Sequence, residues 1–156
     1  SICSQQLSGK AAQTIFSRVK KSLGRITPKS VLSKNDQALR DCGLSWAKVK
    51  YVKDLAGKVK SGELEINKLD KLPDEEVIKE LVAVKGIGRW TAEMFLMFSL
   101  GRSDIFPVDD LGIKKGFEKV TGKKWDKVKS AKFAEKNWKP YRTVASWYLW
   151  RSLENR

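Results

Sequence analysis

The chain has 156 residues, 41% of them hydrophobic, and a formal charge of +14 from 32 Lys and Arg against 18 Asp and Glu. This size and hydrophobic content favour one globular domain with a sizeable core over a disordered polycation. Because the chain contains no histidine, Ser-His-Asp and Cys-His catalysis and His-ligated metal sites are excluded. Two cysteines are too few for a Cys-rich zinc site or an iron–sulfur cluster.

Helical patterns follow one another along the chain. Apolar residues at helical spacing predict a first helix that ends at Gly24, and Thr27-Pro28 predicts the cap and first turn of a short second helix. The segment INKLDKLP is predicted as a loop. Further helices are predicted at about 35–42, 45–61, 73–84, 88–100, 110–120, 126–137 and 140–153. Since no strand pattern is present, the sequence predicts an all-α fold of roughly eight to ten helices.

The stretch Lys85-Gly86-Ile87-Gly88 connects two of these predicted helices. Its glycines permit backbone angles that a side chain opposes, and they expose amides at the start of the second helix. Those amides and the helix dipole favour an anion, and Lys85 and Arg89 flank them. The pattern therefore predicts a nucleic-acid phosphate as ligand; the alternative is an ordinary turn between two helices.

The positive charge is unevenly distributed. Residues 111–140 contain ten lysines against three acids, which is half of the net charge. Such charge indicates a polyanionic partner, nucleic acid before a membrane surface, although a merely soluble lysine-rich surface is the alternative. No apolar run approaches the ~20 residues that span a bilayer. We expect an intracellular, reducing setting.

Four segments, in order, resemble the helix-hairpin-helix DNA glycosylases, specifically the 3-methyladenine DNA glycosylase II group. They are SICSQQLSGKAA, GLSWAKVKYVKDLA, LVAVKGIGRWTAEMFLMFSLGRSDIFPVDDLGIKKGF and NWKPYRTVASWYLW. The resemblance implies a single domain at 1–156 with its hairpin at about 74–100, built as two helical subdomains with the DNA and base cleft between them. It also implies helices before SQQLS. We expect these to be missing, to be supplied by another chain, or to be dispensed with in a minimal form.

The resemblance implies a monofunctional glycosylase for base excision repair. Such an enzyme flips an alkylated purine of the 3-methyladenine or 7-methylguanine type out of duplex DNA, hydrolyses the N-glycosidic bond and leaves an abasic site. The implied partner is damaged double-stranded DNA, bound by a monomer in the bacterial cytoplasm or eukaryotic nucleus. Two alternatives are a non-enzymatic DNA-binding module of the same family and a glycosylase for another base lesion.

The segment VDD offers two candidate catalytic carboxylates. In the family, the catalytic aspartate stands three residues before an apolar helical residue, and Ile113 therefore selects Asp110. Asp109 is expected to be a cap or a hydrogen-bonding neighbour. The alternative is that both residues only cap the helix that begins there.

Three residues are implied to contact the substrate. Trp90 occupies the position where backbone-cutting relatives carry a Schiff-base lysine, and an indole cannot be that nucleophile. Trp150 matches the family's pocket aromatic, whose face can attract a cationic base. Met94 stands where some relatives have a pocket tyrosine. Core packing is the alternative for Trp90 and is expected for Trp138 and Trp147.

The remaining implied contacts concern DNA and a cation. The SQQLSG segment resembles the loop whose tip fills the space left by the flipped nucleotide, and the register selects Gln6. The family's hairpin also holds Na⁺ or K⁺ through backbone carbonyls, which correspond here to Val82, Val84 and Ile87. No cofactor is expected for the chemistry itself, and the iron–sulfur cluster of some relatives is excluded by the cysteine count.

Overall fold

The structure, a computed structural model, describes residues 2 and 9–154. Its described part contains nine α-helices and no strand, which confirms the all-α prediction. The helices are α1 (Gly9–Leu23), α2 (Pro28–Ser33), α3 (Asp36–Asp41), α4 (Trp46–Ser61), α5 (Asp74–Val82), α6 (Arg89–Phe98), α7 (Leu111–Thr121), α8 (Lys127–Trp138) and α9 (Arg142–Glu154). None of these helices is long and apolar enough to cross a membrane. The described residues form two compact units that divide between Arg89 and Trp90.

Local capping signals determine where the helices of the first unit begin and end. The side chains of Thr27, Asn35 and Ser45 each accept a hydrogen bond from the backbone N–H three residues later. These bonds satisfy N–H groups that have no partner within the helix. Gly62 ends α4 in the left-handed conformation at φ 80°. The predicted starts of α2 and α4 and the predicted end of α4 are therefore confirmed.

The segment predicted as a loop contains a 3₁₀ helix at Ile66–Lys71. Leu69 is buried within it and is only 2% exposed. Its carbonyl accepts a hydrogen bond from the N–H of Leu72, the i to i+3 pattern of this helix type. A single buried anchor in so short a run does not produce the repeated apolar spacing by which a helix is predicted.

One hydrophobic core cluster of the first unit lies where α1, α3 and α4 pack together. Its buried residues are Val19, Leu39, Cys42, Leu44 and Val49. This packing fixes α4, and α4 carries two side chains that support the turn between α5 and α6, described below.

The core of the second unit is rich in aromatic rings. Phe117 is almost fully buried and makes edge contacts with Trp125, Phe133 and Trp138 at centroid distances of 5.3, 5.5 and 6.0 Å. Such edge-to-face contacts are the favoured geometry for packed aromatic rings. The prediction that Trp138 belongs to the core is confirmed.

The same prediction for Trp147 is wrong. Its side chain is 47% exposed, and the Arg151 guanidinium lies 5.4 Å from its ring centroid. Helical spacing places Trp147 on one face of α9, but the described part of the second unit does not cover that face. The guanidinium gives this exposed indole a cation–π contact at the surface rather than a place in the core.

Candidate active site

The loop that leads to the candidate carboxylate is attached to the start of α9. Asp104 accepts two hydrogen bonds from the Arg142 guanidinium, at 2.7 and 2.9 Å. The hydroxyl of Thr143 accepts the Ile105 N–H at 2.9 Å and donates to the carbonyl of Arg102 at 2.7 Å. These bonds fix the chain just before α7. The hydrogen bonds from Arg142 hold the pKa of Asp104 below its ordinary value, against an opposing effect of burial.

Asp110 is the N-cap of α7. One of its oxygens, Oδ1, accepts a hydrogen bond of 2.8 Å from the backbone N–H of Ile113. The neighbouring Asp109 is exposed and instead forms an ion pair with Lys127 at 2.6 Å. The capping interpretation is thus correct for Asp110, but capping engages only one of its two oxygens.

Two indoles converge on this carboxylate. Trp90 donates its Nε1–H to Oδ2 of Asp110 at 2.8 Å, and Trp150 donates its own to Oδ1 at 2.8 Å. Together with the Ile113 amide, three N–H donors bind a group that has about four acceptor positions. The carboxylate plane is therefore fixed from two sides, and Oδ2 keeps room for one more donor. The structure brings together three of the residues that the sequence selected.

Exposed apolar side chains accompany the indoles. Trp90 is 43% exposed, and Phe98 is 66% exposed although its ring stacks against that of Trp150 at 6.2 Å and 27°. Leu111, next to Asp110 in the chain, is 62% exposed. Met94 is partly buried and lies between Trp90 and Phe98 along one face of α6, since residues four apart on a helix are neighbours.

The sequence reasoning missed Phe98 and Leu111. A signal for Phe98 was present, because it follows Trp90 by two steps of four residues on the same helix. Its large exposure could not be read from that spacing. The described arrangement is a carboxylate held by three N–H donors beside exposed aromatic faces. Such an arrangement can stabilise a positive charge that develops next to it and bind a flat cationic group.

The turn before α6 is supported by α4. Gly86 has φ 79°, a conformation that side chains oppose, and a Cβ there would overlap the ring of Tyr51. The N–H of Lys85 donates to Asp54 at 2.9 Å. Gly86 is therefore required both by the backbone angle and by the approach of an aromatic ring.

Arg89, at the start of α6, is engaged within the protein. Its guanidinium donates to both carboxylate oxygens of Glu75, at 3.0 and 2.6 Å. These bonds lower the pKa of Glu75, against a smaller opposing effect of burial. A phosphate at this turn would share Arg89 with Glu75. The prediction that Lys85, Gly86, Gly88 and Arg89 contact DNA stays a prediction.

The turn also contains the carbonyls that the family resemblance selects for a monovalent cation. Val82 is the last residue of α5, and the carbonyl of Val84 accepts the Ile87 N–H at 3.1 Å. The last carbonyls of a helix have no partner within the helix, and the prediction that the carbonyls of Val82, Val84 and Ile87 hold Na⁺ or K⁺ stays a prediction. Among the described residues no group of three or more His, Cys, Asp or Glu could hold a metal ion. Gln6 lies outside the described residues.

Comparison with known proteins gives a family match over most of the chain. The model of the HhH-GPD superfamily base excision DNA repair proteins matches residues 1–141. DNA-3-methyladenine glycosylase 1 of Schizosaccharomyces pombe is 37% identical to this chain over an alignment 158 residues long. The alignment covers 97% of this chain and 68% of that protein. The chain spans 45% to 63% of the length of three other curated relatives.

Solved structures of proteins named as 3-methyladenine DNA glycosidase or glycosylase match this chain over almost its whole length. DNA-3-methyladenine glycosidase from Bacillus halodurans has a TM-score of 0.88 at 40% identity, covering 99% of this chain and 72% of that one. The S. pombe 3-methyladenine DNA glycosylase in complex with abasic DNA has a TM-score of 0.84 at 39% identity, covering 98% of this chain and 77% of that one. The predicted fold class is confirmed.

Proposed function

Because this chain belongs to the HhH-GPD superfamily of base excision DNA repair proteins, we propose that it is a monofunctional DNA glycosylase for alkylated purines. It releases bases of the 3-methyladenine and 7-methylguanine type from duplex DNA and leaves an abasic site. The observation that carries this proposal is the Asp110 carboxylate held by Trp90 and Trp150.

The chemistry assigns the carboxylate a clear role. The target base is unreachable in a stacked duplex, so the nucleotide must first rotate out of it. As the bond between base and sugar lengthens, positive charge develops on the deoxyribose, and a nearby carboxylate stabilises it. The remaining acceptor position on Oδ2 of Asp110 can orient a water molecule for attack at the sugar carbon. This sequence of steps needs no cofactor.

Trp90 supports hydrolysis over lyase chemistry. A bifunctional enzyme needs an amine that forms a Schiff base with the sugar, and the indole N–H at this position is already bound to Asp110. We therefore expect no strand cleavage, and no enzyme–DNA adduct after borohydride reduction. A trapped adduct would contradict the monofunctional assignment.

An alkylated purine matches the surroundings of the carboxylate. Alkylation at N3 or N7 gives the base a positive charge, which makes it a good leaving group without a protonated acid. The edge of Trp150 bonds to Asp110 and its ring stacks against Phe98 at a centroid distance of 6.2 Å, so such a base would make its cation–π contact with the Trp150 ring on the side where Phe98 now lies. Phe98 and Met94 would contribute further contacts from α6.

Contacts with the DNA backbone are assigned to two basic regions. The first is the turn with Lys85, Gly86, Gly88 and Arg89, whose amides suit a phosphate, and whose Val82, Val84 and Ile87 carbonyls would hold Na⁺ or K⁺ beside it. The second is the lysine-rich segment 111–140. Gln6 is assigned to the space left by the flipped nucleotide. Phosphate contacts position a duplex without reading its sequence, and one copy of the chain suffices.

The test is release of free base from methylated duplex DNA, resolved by chromatography, for the parent and Asp110→Asn. Asparagine caps a helix as well as aspartate does, so α7 should still form. We expect Asp110→Asn to bind abasic DNA like the parent and to lose at least about 100-fold in base release. Asp109→Asn is the matched control, because it removes the adjacent, exposed carboxylate, and its rate should equal that of the parent.

The alternatives correspond to other outcomes of this test. Intact DNA binding without release of any alkylated, deaminated or oxidised base would identify a non-enzymatic binding module. Release of uracil or an oxidised purine alone would correct the substrate class and keep the reaction. Equal release by Asp110→Asn and the parent would overturn the catalytic assignment.

A further inference from the structure

The approach of Trp150 to Asp110 depends on a glycine of α7. A Cβ built on Gly112 would lie 2.7 Å from Cδ1 and 2.9 Å from Nε1 of Trp150, and 3.0 Å from Oδ1 of Asp110. Two of these atoms are the donor and the acceptor of the hydrogen bond between indole and carboxylate. Any side chain at this position would therefore enter the space in which that bond forms.

The backbone does not require glycine at position 112. Gly112 is the second residue of α7 and has no left-handed φ, so an alanine could adopt the same backbone conformation. Its neighbour one turn on, Gly116, differs, because a Cβ there would overlap the backbone carbonyl of Leu149. Gly116 lets α9 approach α7, whereas Gly112 leaves space for one side chain of α9.

We propose that Gly112 is a positioning residue for the reaction: it keeps open the space through which Trp150 holds Asp110. The inference rests on the proposed function of Asp110, and Gly112 itself touches no substrate. With a side chain at position 112, Oδ1 of Asp110 would keep its hydrogen bond from the Ile113 amide, and Oδ2 would keep its bond from Trp90. The carboxylate would lose the hydrogen bond from Trp150.

Trp150 has little freedom to avoid a methyl group at position 112 and keep its bond. Its ring stacks against Phe98 on one side and packs against the buried cluster that includes Phe117 and Leu149. If the Trp150 ring shifts by a few tenths of an ångström away from α7, the hydrogen bond of 2.8 Å from its Nε1 to Oδ1 of Asp110 becomes longer. Hydrogen bonds to a charged group weaken steeply with distance and misalignment.

The first test reads the geometry directly. In a chain of 17.7 kDa with six tryptophans, each indole N–H gives one peak in a ¹⁵N–¹H correlation spectrum. Trp90→Phe and Trp150→Phe assign the two peaks of interest. In Gly112→Ala the Trp150 peak should move in the direction in which it moves in Asp110→Asn, while the Trp90 peak stays near its place. Gly57→Ala is the matched control, because Gly57 lies inside α4 with nothing within 4 Å of a Cβ.

The second test measures the reaction. The rate of single-turnover base release should fall by about 10- to 100-fold in Gly112→Ala, because one hydrogen bond to the charged Asp110 carboxylate is weakened. The affinity for abasic DNA should not change. The same substitution should have little effect in a Trp150→Phe background, because phenylalanine has no N–H to lose and is smaller at that edge. Such non-additivity is expected only if the two residues act through one contact.

The outcomes separate this proposal from the proposed function. If the Trp150 peak moves but the parent releases no base, the positioning role stands as geometry and the proposed reaction fails. An unmoved Trp150 peak, or an equal loss of rate by Gly112→Ala in both backgrounds, overturns the positioning role while the reaction stands. If Gly112→Ala does not fold, Gly112→Ala with Trp150→Phe should fold, and failure of both variants would assign Gly112 a purely structural role.

Discussion

The indole of Trp90 donates to Oδ2 of Asp110 over 2.8 Å, across twenty residues of sequence. Trp90, for which the resemblance implies the position of the Schiff-base lysine of backbone-cutting relatives, is thus a direct hydrogen-bond partner of the candidate catalytic carboxylate. The indole therefore does not only stand where an amine would otherwise be. It also fixes Oδ2, the oxygen of Asp110 that has room for a water molecule.

Trp90→Phe tests this relationship. Phenylalanine keeps an aromatic ring and removes the donor, so base release should fall by about tenfold, the size expected for one hydrogen bond to a charged group. Affinity for abasic DNA should change little. Single-turnover kinetics and a binding titration measure the two quantities, and Trp46→Phe, at a tryptophan that is 52% exposed in the other unit, is the control. A parental rate in Trp90→Phe would show that Trp150 and the helix N-terminus suffice to hold Asp110.

Much of the fold could be predicted because its signals are local. Thr27, Asn35 and Ser45 each cap the next helix through a bond that spans three residues, so a short window of sequence contains the complete signal. The 3₁₀ helix around Leu69 lacked such a signal and was predicted as a loop. The exposure of Trp147 was missed for another reason, since helical spacing defines a face but not what covers it.

The candidate site was predictable only in part. Asp110, Trp90 and Trp150 were selected by resemblance, whereas the bonds that join them span 20 and 40 residues and depend on how α6, α7 and α9 pack. The role of Gly112 was invisible for the same reason, because the space it leaves belongs to a side chain from another helix.

Gly86→Ala should destabilise the protein. Alanine would have to adopt φ 79° and would meet the ring of Tyr51, so we expect a loss of more than about 1 kcal/mol in the free energy of unfolding. Urea denaturation measures it. Gly88→Ala is the control, because Gly88 has no left-handed φ and a Cβ there meets nothing within 4 Å. Equal stabilities of the two variants would mean that Tyr51 and the turn rearrange freely.

The ion pair between Asp104 and Arg142 should make the free energy of unfolding depend on pH. Hydrogen bonds from Arg142 lower the pKa of Asp104 in the folded state, so the pair contributes fully above the unfolded pKa of about 4 and is lost as the pH falls through the folded value. Asp104→Asn should cost roughly 2 kcal/mol at pH 7, because both side chains are mostly buried, and this difference should shrink steadily below about pH 4. Urea denaturation at several pH values measures the difference.

The control is Asp109→Asn, which removes an exposed ion pair. Its free energy of unfolding should stay within about 0.5 kcal/mol of the parent at every pH. A deficit of Asp104→Asn that persists unchanged in acid would assign its effect to packing.

DNA affinity should fall steeply as salt is raised. Each phosphate neutralised by a lysine contributes about one unit to the slope of log K against log salt. Lys114→Gln and Lys115→Gln, two exposed lysines of α7 in the lysine-rich segment 111–140, should each weaken binding to any duplex sequence and reduce that slope by about one. Lys68→Gln is the control, because Lys68 pairs with Glu65 at 2.5 Å in the other unit. Fluorescence anisotropy at several salt concentrations gives the slopes. A nearly flat slope of the parent would mean that the lysines of 111–140 are a solvated surface. A steep slope that Lys114→Gln and Lys115→Gln leave unchanged would mean that the phosphate contacts come from other cationic residues.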